Sequence, residues 1–220
     1  EAYDNRYVLK EQRFGVERRV VHEVPVIDVA PVINNGTLAD RKRVAAEIRR
    51  ACIDIGFFYM RGHGIALKEL ESLERIGKAF FELPLEEKMK TDAGKSAAHR
   101  GFIRSGGVEP DKATDKYPDI KERYMMSRDA MPGEEAGKRV GTSQWPDEAT
   151  APGFATFMRA HMASRVALAQ KLMRGFALSL DLHESYFDDV YARPSATLAL
   201  NYYPHISAER LSRTQWSFRS

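Results

Sequence analysis

The sequence predicts an α+β fold, and three observations carry that prediction. Hydrophobic periodicity reads in the order strand, helix, strand, helix, short helix, strand, long helix, strand. The connections between these elements vary widely in length, unlike the regular spacing of repeated βαβ units. The longest periodic segment, from Phe154 to Leu180, is helical, and helices dominate the chain.

The elements follow in order. Val24–Ala30 reads as a short strand, and Pro25 places it at an edge or at a strand start. Asp40–Ile55 reads as an amphipathic helix, with Val44, Ile48, Ala51, Cys52 and Ile55 on one side and Gly56 as its stop. Phe57–Met60 reads as an aromatic strand. In the turn that follows, Arg61–Gly64, two glycines are suited to positive φ. Leu67–Leu83 is a second amphipathic helix, with Leu70, Leu73, Ile76, Gly77, Phe80 and Phe81 on its apolar side. Pro84 breaks it, and Leu85–Met89 begins a short third helix. Residues 91–118 read mainly as loop. Asp119–Ser127 reads as a strand with Ile120, Glu122, Tyr124 and Met126 on one face. Residues 129–152 are again loop. In Phe154–Leu180 the methionines repeat with the helical period and read as core. Glu184–Tyr191 reads as a short helix.

Thr197–Tyr203 has two unlike faces, since successive strand side chains point opposite ways. Leu198, Leu200 and Tyr202 make a large apolar face; Thr197, Ala199, Asn201 and Tyr203 make a small and then polar one. Such a strand suits the wall of a binding cavity. Pro204 ends it, because proline has no amide hydrogen for the ladder. Ser217–Ser220 has the pattern of a further strand.

Composition removes several classes. At 220 residues and 43% apolar, the chain can bury a core of its own. It has no apolar run of about 18 residues, the length a membrane helix needs. The segment Glu1–Arg6 is charged and lacks the apolar core of a secretory signal. The single cysteine, Cys52, excludes an internal disulfide framework and fits a reducing compartment, so a cytoplasmic location is expected, with Cys52 in the core. The net charge of +3 is spread among mixed signs and points to neither a nucleic-acid nor a membrane partner.

The six histidines are His22, His63, His99, His161, His183 and His205. None lies in a His-x-His, His-x-Asp/Glu or one-turn helical pair, so spacing specifies no metal ligand within these residues. His63, between two glycines, reads as structural. There is no Gly-x-Ser-x-Gly elbow, and Ser105-Gly106-Gly107 is not followed by the Lys-Ser/Thr of a phosphate loop. No catalytic residue is specified. What remains is polar: Asn201 and Tyr203 on one strand face, and Arg100 ahead of Gly101-Phe102. The planar fork of an arginine matches a carboxylate.

Taken together, these segments resemble the isopenicillin N synthase-like family of non-haem iron(II)/2-oxoglutarate-dependent oxygenases. The resemblance is carried, in the family's order, by Val24-Pro-Val-Ile-Asp28, Gly56–Ile65, Ala79–Lys88, Arg100-Gly-Phe102 and Asp119-Ile-Lys-Glu122. Gln144–Asp147 with Pro152-Gly-Phe154, and then Asn201–Pro204, complete it. It implies a double-stranded β-helix (jelly-roll-like) barrel flanked by N-terminal helices. Residues 1–23 would be an extension, 24–192 the N-terminal helical and mixed region, and 193–220 the first barrel strands. It implies iron(II), 2-oxoglutarate and dioxygen acting on a small organic substrate. The family's iron ligands are a His-x-Asp pair and a later His, and an Arg-x-Ser holds 2-oxoglutarate. No His-x-Asp pair is present here, and Trp216–Ser220 resembles the segment just before that pair. Carried over residue by residue, Asn201 and Tyr203 fall on positions that contact the co-substrate region. Arg100 falls near a substrate-carboxylate arginine, with His99 its rival. An oxidase of the isopenicillin N synthase type, without 2-oxoglutarate, and a non-catalytic partner-binding fragment are the alternatives. Asn201 favours a 2-oxoglutarate user.

Overall fold

The computed structural model describes residues 23–104, 121–130, 132–135 and 143–205. These form two compact units. One contains residues up to Ala66 together with Ser164–Pro194; the other contains Leu67–Ala163 together with residues from Ser195 on.

In the first unit, strand β1 (Val26–Asp28) pairs in parallel with β2 (Tyr59–Arg61), Ile27 opposite Met60. The one-turn helix α1 (Ala30–Ile33) and helix α2 (Leu38–Asp54) follow β1. Thr37 caps α2: its hydroxyl accepts the Asp40 amide at 3.2 Å and donates to the Asp40 carboxylate at 2.6 Å. At the other end the Gly56 amide donates back to the Ala51 carbonyl, with Gly56 at φ +95°, so the helix stops where the glycine stands. Ile27, Val29, Val32, Val44, Ile48 and Ala51 form an aliphatic core, with Leu168, Leu172 and Phe176 of helix α5 (Phe154–Ser179) packed against it. α5 approaches so closely that a Cβ on Gly175 would stand 3.3 Å from Val32. The turn after β2 requires glycine. Gly62 has φ +70°, and a Cβ there would overlap the Asp28 carboxylate, which accepts the Ala30 amide.

In the second unit, helices α3 (Leu67–Phe81) and α4 (Leu85–Met89) accompany an antiparallel sheet. Its strands are β3 (Gly101–Ile103), β4 (Glu122–Ser127) and β5 (Thr197–Tyr202), in the order β3-β4-β5. The register puts Phe102, Tyr124 and Leu200 in one row and Ile103, Arg123 and Asn201 in the next, so the two rows face opposite sides. Phe80 is the centre of the packed side, with ring centroids of Tyr124 and Phe154 both at 4.8 Å and of Phe102 at 6.1 Å. Phe81 stacks on Tyr202 at 5.1 Å, and Leu200 lies against Gly77 of α3. Lys88, buried, donates to Glu122 at 2.7 Å and to the Phe81 carbonyl at 2.9 Å, so its charge is paired where water is excluded.

The α+β expectation holds, and the elements expected at 40–55, 67–83, 85–89, 154–180 and 197–203 are present within a residue or two. Met158 and Met162 are buried core, as their period predicts. Among the described residues the strands do not close into a barrel. Four readings are corrected. Cys52 is exposed, because α2 buries a narrow stripe through Val44, Ala45, Ile48 and Ala51 that leaves position 52 outside. The aromatic strand begins at Tyr59, two residues later than its apolar run, and all of β2 is exposed. Glu184–Tyr191 forms successive turns: its amides bond mostly three residues back, as in Tyr186 to His183 and Asp188 to Ser185. Residues 91–104 contain a 3-10 turn (Ala93–Lys95) and β3. β3 is too short for an alternation signal and depends on its partner β4. The expected strand residues Asp119 and Ile120, and the segments Trp216–Ser220 and Ser105–Gly107, lie outside the described residues.

Candidate functional site

The side of the β3-β4-β5 sheet away from Phe80 carries the polar residues. Its middle row is Gly101, Met125 and Ala199, which stand opposite one another across the three strands. Gly101 has no substitute there. Its φ is +133°, and a Cβ would collide with the Thr91 carbonyl oxygen, the same atom that accepts the Phe102 amide at 2.7 Å.

At one end of β5 stands Asn201, paired in register with Arg123 of β4. The Arg123 Nε–H donates to Asn201 Oδ1 at 2.9 Å. Tyr203 follows two residues on, 65% exposed, with its phenol available to solvent. At the other end stands Thr197, whose hydroxyl accepts a hydrogen bond from Arg100 Nη2 at 3.0 Å. Arg100 Nη1 also donates to the carbonyl of Ala98 at 2.8 Å. His99, at φ +51°, turns the backbone into this position. Thr197 and Asn201 are four residues apart on β5, roughly 13 Å along a strand. Two guanidinium groups are therefore tethered to the two ends of one strand, with Ala199 between them.

The sequence reading of Asn201, Tyr203 and Arg100 brings together residues that the tertiary structure places on or beside β5. It missed Arg123 and Thr197 as their partners. The signal for Arg123 was present in the alternation of β4: if Tyr124 and Met126 face the core, Arg123 and Met125 face away. Thr197 had no such signal, because its bond to Arg100 spans 97 residues.

His63 and His161 have roles elsewhere in the chain. His63 Nδ1 accepts the Ile65 amide at 3.1 Å, a local turn role. His161 is buried, 2.9 Å from Glu69 and stacked on Phe157, as a packed and paired core histidine. Tyr124 is also a packing residue. Burial raises its phenol well above the ordinary range, and it donates to the Gln144 carbonyl. Among the described residues no three His, Cys, Asp or Glu side chains gather as ligands for a metal ion. A groove of about 490 Å³ in the first unit, between β1 and α2, is lined by Glu23, Glu47, Asp54 and Arg50 beside Val26 and Ile55. No helix among the described residues is long and apolar enough to cross a membrane.

Residues 24–148 match the family described as the N-terminal part of non-haem dioxygenases in morphine synthesis. The chain is 36% identical over 199 residues to the 2-oxoglutarate-Fe(II) type oxidoreductase ppzC of Metarhizium majus, covering 84% of this chain and 52% of that protein. It is 30% identical to homoarginine-6-hydroxylase of Glycine max, covering 84% of this chain and 57% of that protein. The crystal structure of a 2OG-Fe(II) oxygenase family protein from Caulobacter crescentus superposes with a TM-score of 0.70 at 27% identity, over 85% of this chain and 59% of that one. A full-length Neurospora crassa protein, crystallised in complex with alpha-KG, superposes with a TM-score of 0.69 at 25% identity, over 96% of this chain and 62% of that one. The chain thus spans about half the length of the curated relatives it matches.

Proposed function

The chain belongs to the non-haem iron(II)/2-oxoglutarate-dependent oxygenase family, and on that premise we propose that the complete protein oxidises a small organic substrate with 2-oxoglutarate and dioxygen. Residues 24–192 serve as its N-terminal helical and mixed region, and residues 193–220 as the first strands of a double-stranded β-helix. The observation that carries the reading is the polar face of β5. Asn201 and Tyr203 at one end offer an amide and a phenol, donors whose chemistry fits a carboxylate of 2-oxoglutarate. Arg100, held by Thr197 at the other end, is placed to receive an anionic group of the substrate.

The described residues do not fit iron, since they offer no ligand cluster. In this reading the complete protein holds iron through the family's His-x-Asp pair and later His, and 2-oxoglutarate also through its Arg-x-Ser, outside the described residues. When bound, iron(II) supplies the activation of dioxygen coupled to decarboxylation of 2-oxoglutarate. The residues of this chain bind, orient and shield: the aromatic layer around Phe80 keeps water from the back of the sheet, and the outer face fixes the organic acids. The small molecules named for relatives, homoarginine for the soybean enzyme and thymine bound to the Neurospora crassa protein, suggest a small polar substrate.

The test is succinate release. The complete protein with iron(II), 2-oxoglutarate and dioxygen should form succinate, faster with a true substrate present. Substrate oxidation that proceeds without 2-oxoglutarate would favour an oxidase of the isopenicillin N synthase type. No turnover and no 2-oxoglutarate binding would favour a non-catalytic binding role.

A further inference from the structure

Arg123 plays no part in the family resemblance, yet it holds the Asn201 side chain. Its Nε–H donates to Asn201 Oδ1 at 2.9 Å. A guanidinium has donors only, so it can bond an asparagine only through the amide oxygen. That bond decides which way the amide faces: Oδ1 is turned to Arg123, and the NH₂ group is turned elsewhere on the sheet face. An unrestrained asparagine can turn over and present either its oxygen or its nitrogen, and the oxygen would repel a carboxylate. Register reinforces the restraint, because Arg123 and Asn201 are directly opposite on neighbouring antiparallel strands and their Cα positions are fixed by the ladder. The neighbouring row, Gly101, Met125 and Ala199, contributes no N or O acceptor side chain.

We infer that Arg123 is a positioning and specificity-determining residue: by locking the Asn201 amide it holds the oxygen back and presents the NH₂ donors, so that this end of the β5 face selects a carboxylate ligand over a neutral one of the same shape. The inference deepens the reading above, resting on 2-oxoglutarate as the carboxylate bound there. It adds a residue of β4 to a site otherwise assigned to β5.

The test measures binding, not turnover. In the complete protein, loaded with manganese(II) in place of iron(II) and kept free of dioxygen, 2-oxoglutarate affinity is measured by titration calorimetry for wild type, Arg123→Met, Asn201→Ala and the double variant. Arg123→Met should weaken binding about tenfold, because it frees the Asn201 amide to turn over and removes a positive charge beside it. In the Asn201→Ala background the same change should cost at least severalfold less, because Arg123 acts through the amide that is no longer there. Arg123→Lys keeps the charge without the directed Nε–H, and should still bind severalfold more weakly than wild type at an unchanged melting temperature. This variant decides the matter if Arg123→Met fails to fold. Binding by Arg123→Met within twofold of wild type, or a loss of equal size in both backgrounds, overturns the inference while leaving 2-oxoglutarate use intact. Failure of the wild-type protein itself to bind 2-oxoglutarate overturns the functional reading and this inference with it.

Discussion

On one face of the β3-β4-β5 sheet Phe102, Tyr124 and Leu200 stand in a row, packed around Phe80; on the other, Ile103, Arg123 and Asn201 stand in a row, and Asn201 is open to solvent. The strands are the same and the residues alternate, so the contrast comes from side-chain chemistry alone. The packed face gains from shape and apolar area, which are short-ranged and insensitive to the direction of any single bond. The open face depends on direction: an Nε–H aimed at an amide oxygen, a second guanidinium anchored on a threonine hydroxyl. A protein can lose a directional contact on the open face and stay folded, whereas a lost ring on the packed face leaves a cavity.

The contrast can be broken from either side. The largest effect is expected from Phe80→Ala, which removes the ring that Tyr124, Phe102 and Phe154 surround. A loss of about 4 kcal/mol is expected, read as a lower denaturation midpoint at unchanged slope. Next comes Gly101→Ala, in the row of Met125 and Ala199 but buried against the Thr91 backbone. Strain and overpacking should cost about 3 kcal/mol, seen as a fall in melting temperature. A neutral result there would mean that this row is softer than its geometry implies. Asn201→Ala should change stability by less than about 0.5 kcal/mol, while 2-oxoglutarate binding by the complete protein weakens; a loss of stability as large as that of Phe80→Ala would erase the division between the faces.

The smallest effect lies on neither face. The hydrogen bond from Lys90 lowers the carboxyl pKa of the half-buried Glu87. That contribution is present above the ordinary carboxylate range and is lost as the pH falls through the lowered value. The site is solvent-screened, so Glu87→Gln should leave the melting temperature in physiological salt at the wild-type value, with any difference confined to neutral pH and low salt.

Much of the helical framework is legible in the sequence. The stripe Val44, Ile48 and Ala51 and the apolar side of Leu67–Phe81 announce helices because a 3.6-residue period needs only near neighbours. Position 52 shows the limit of that signal. Periodicity gives a face but not its width, and α2 buries too narrow a stripe to cover Cys52. The turns at 184–191 show another limit, since an apolar pattern permits a helix without excluding a chain of turns. β3 has three residues and no period of its own; it exists because β4 supplies its hydrogen bonds.

By itself the sequence determined the helices, the two-faced character of Thr197–Tyr203 and the ordered segments that mark the family. Those depend on residues near one another in the chain or on motifs that can be read in order. Only the tertiary structure decided which residues share the open face. Arg123 meets Asn201 across 78 residues and Arg100 meets Thr197 across 97. Strand register sets such pairings, and register is a property of two strands together, carried by neither alone.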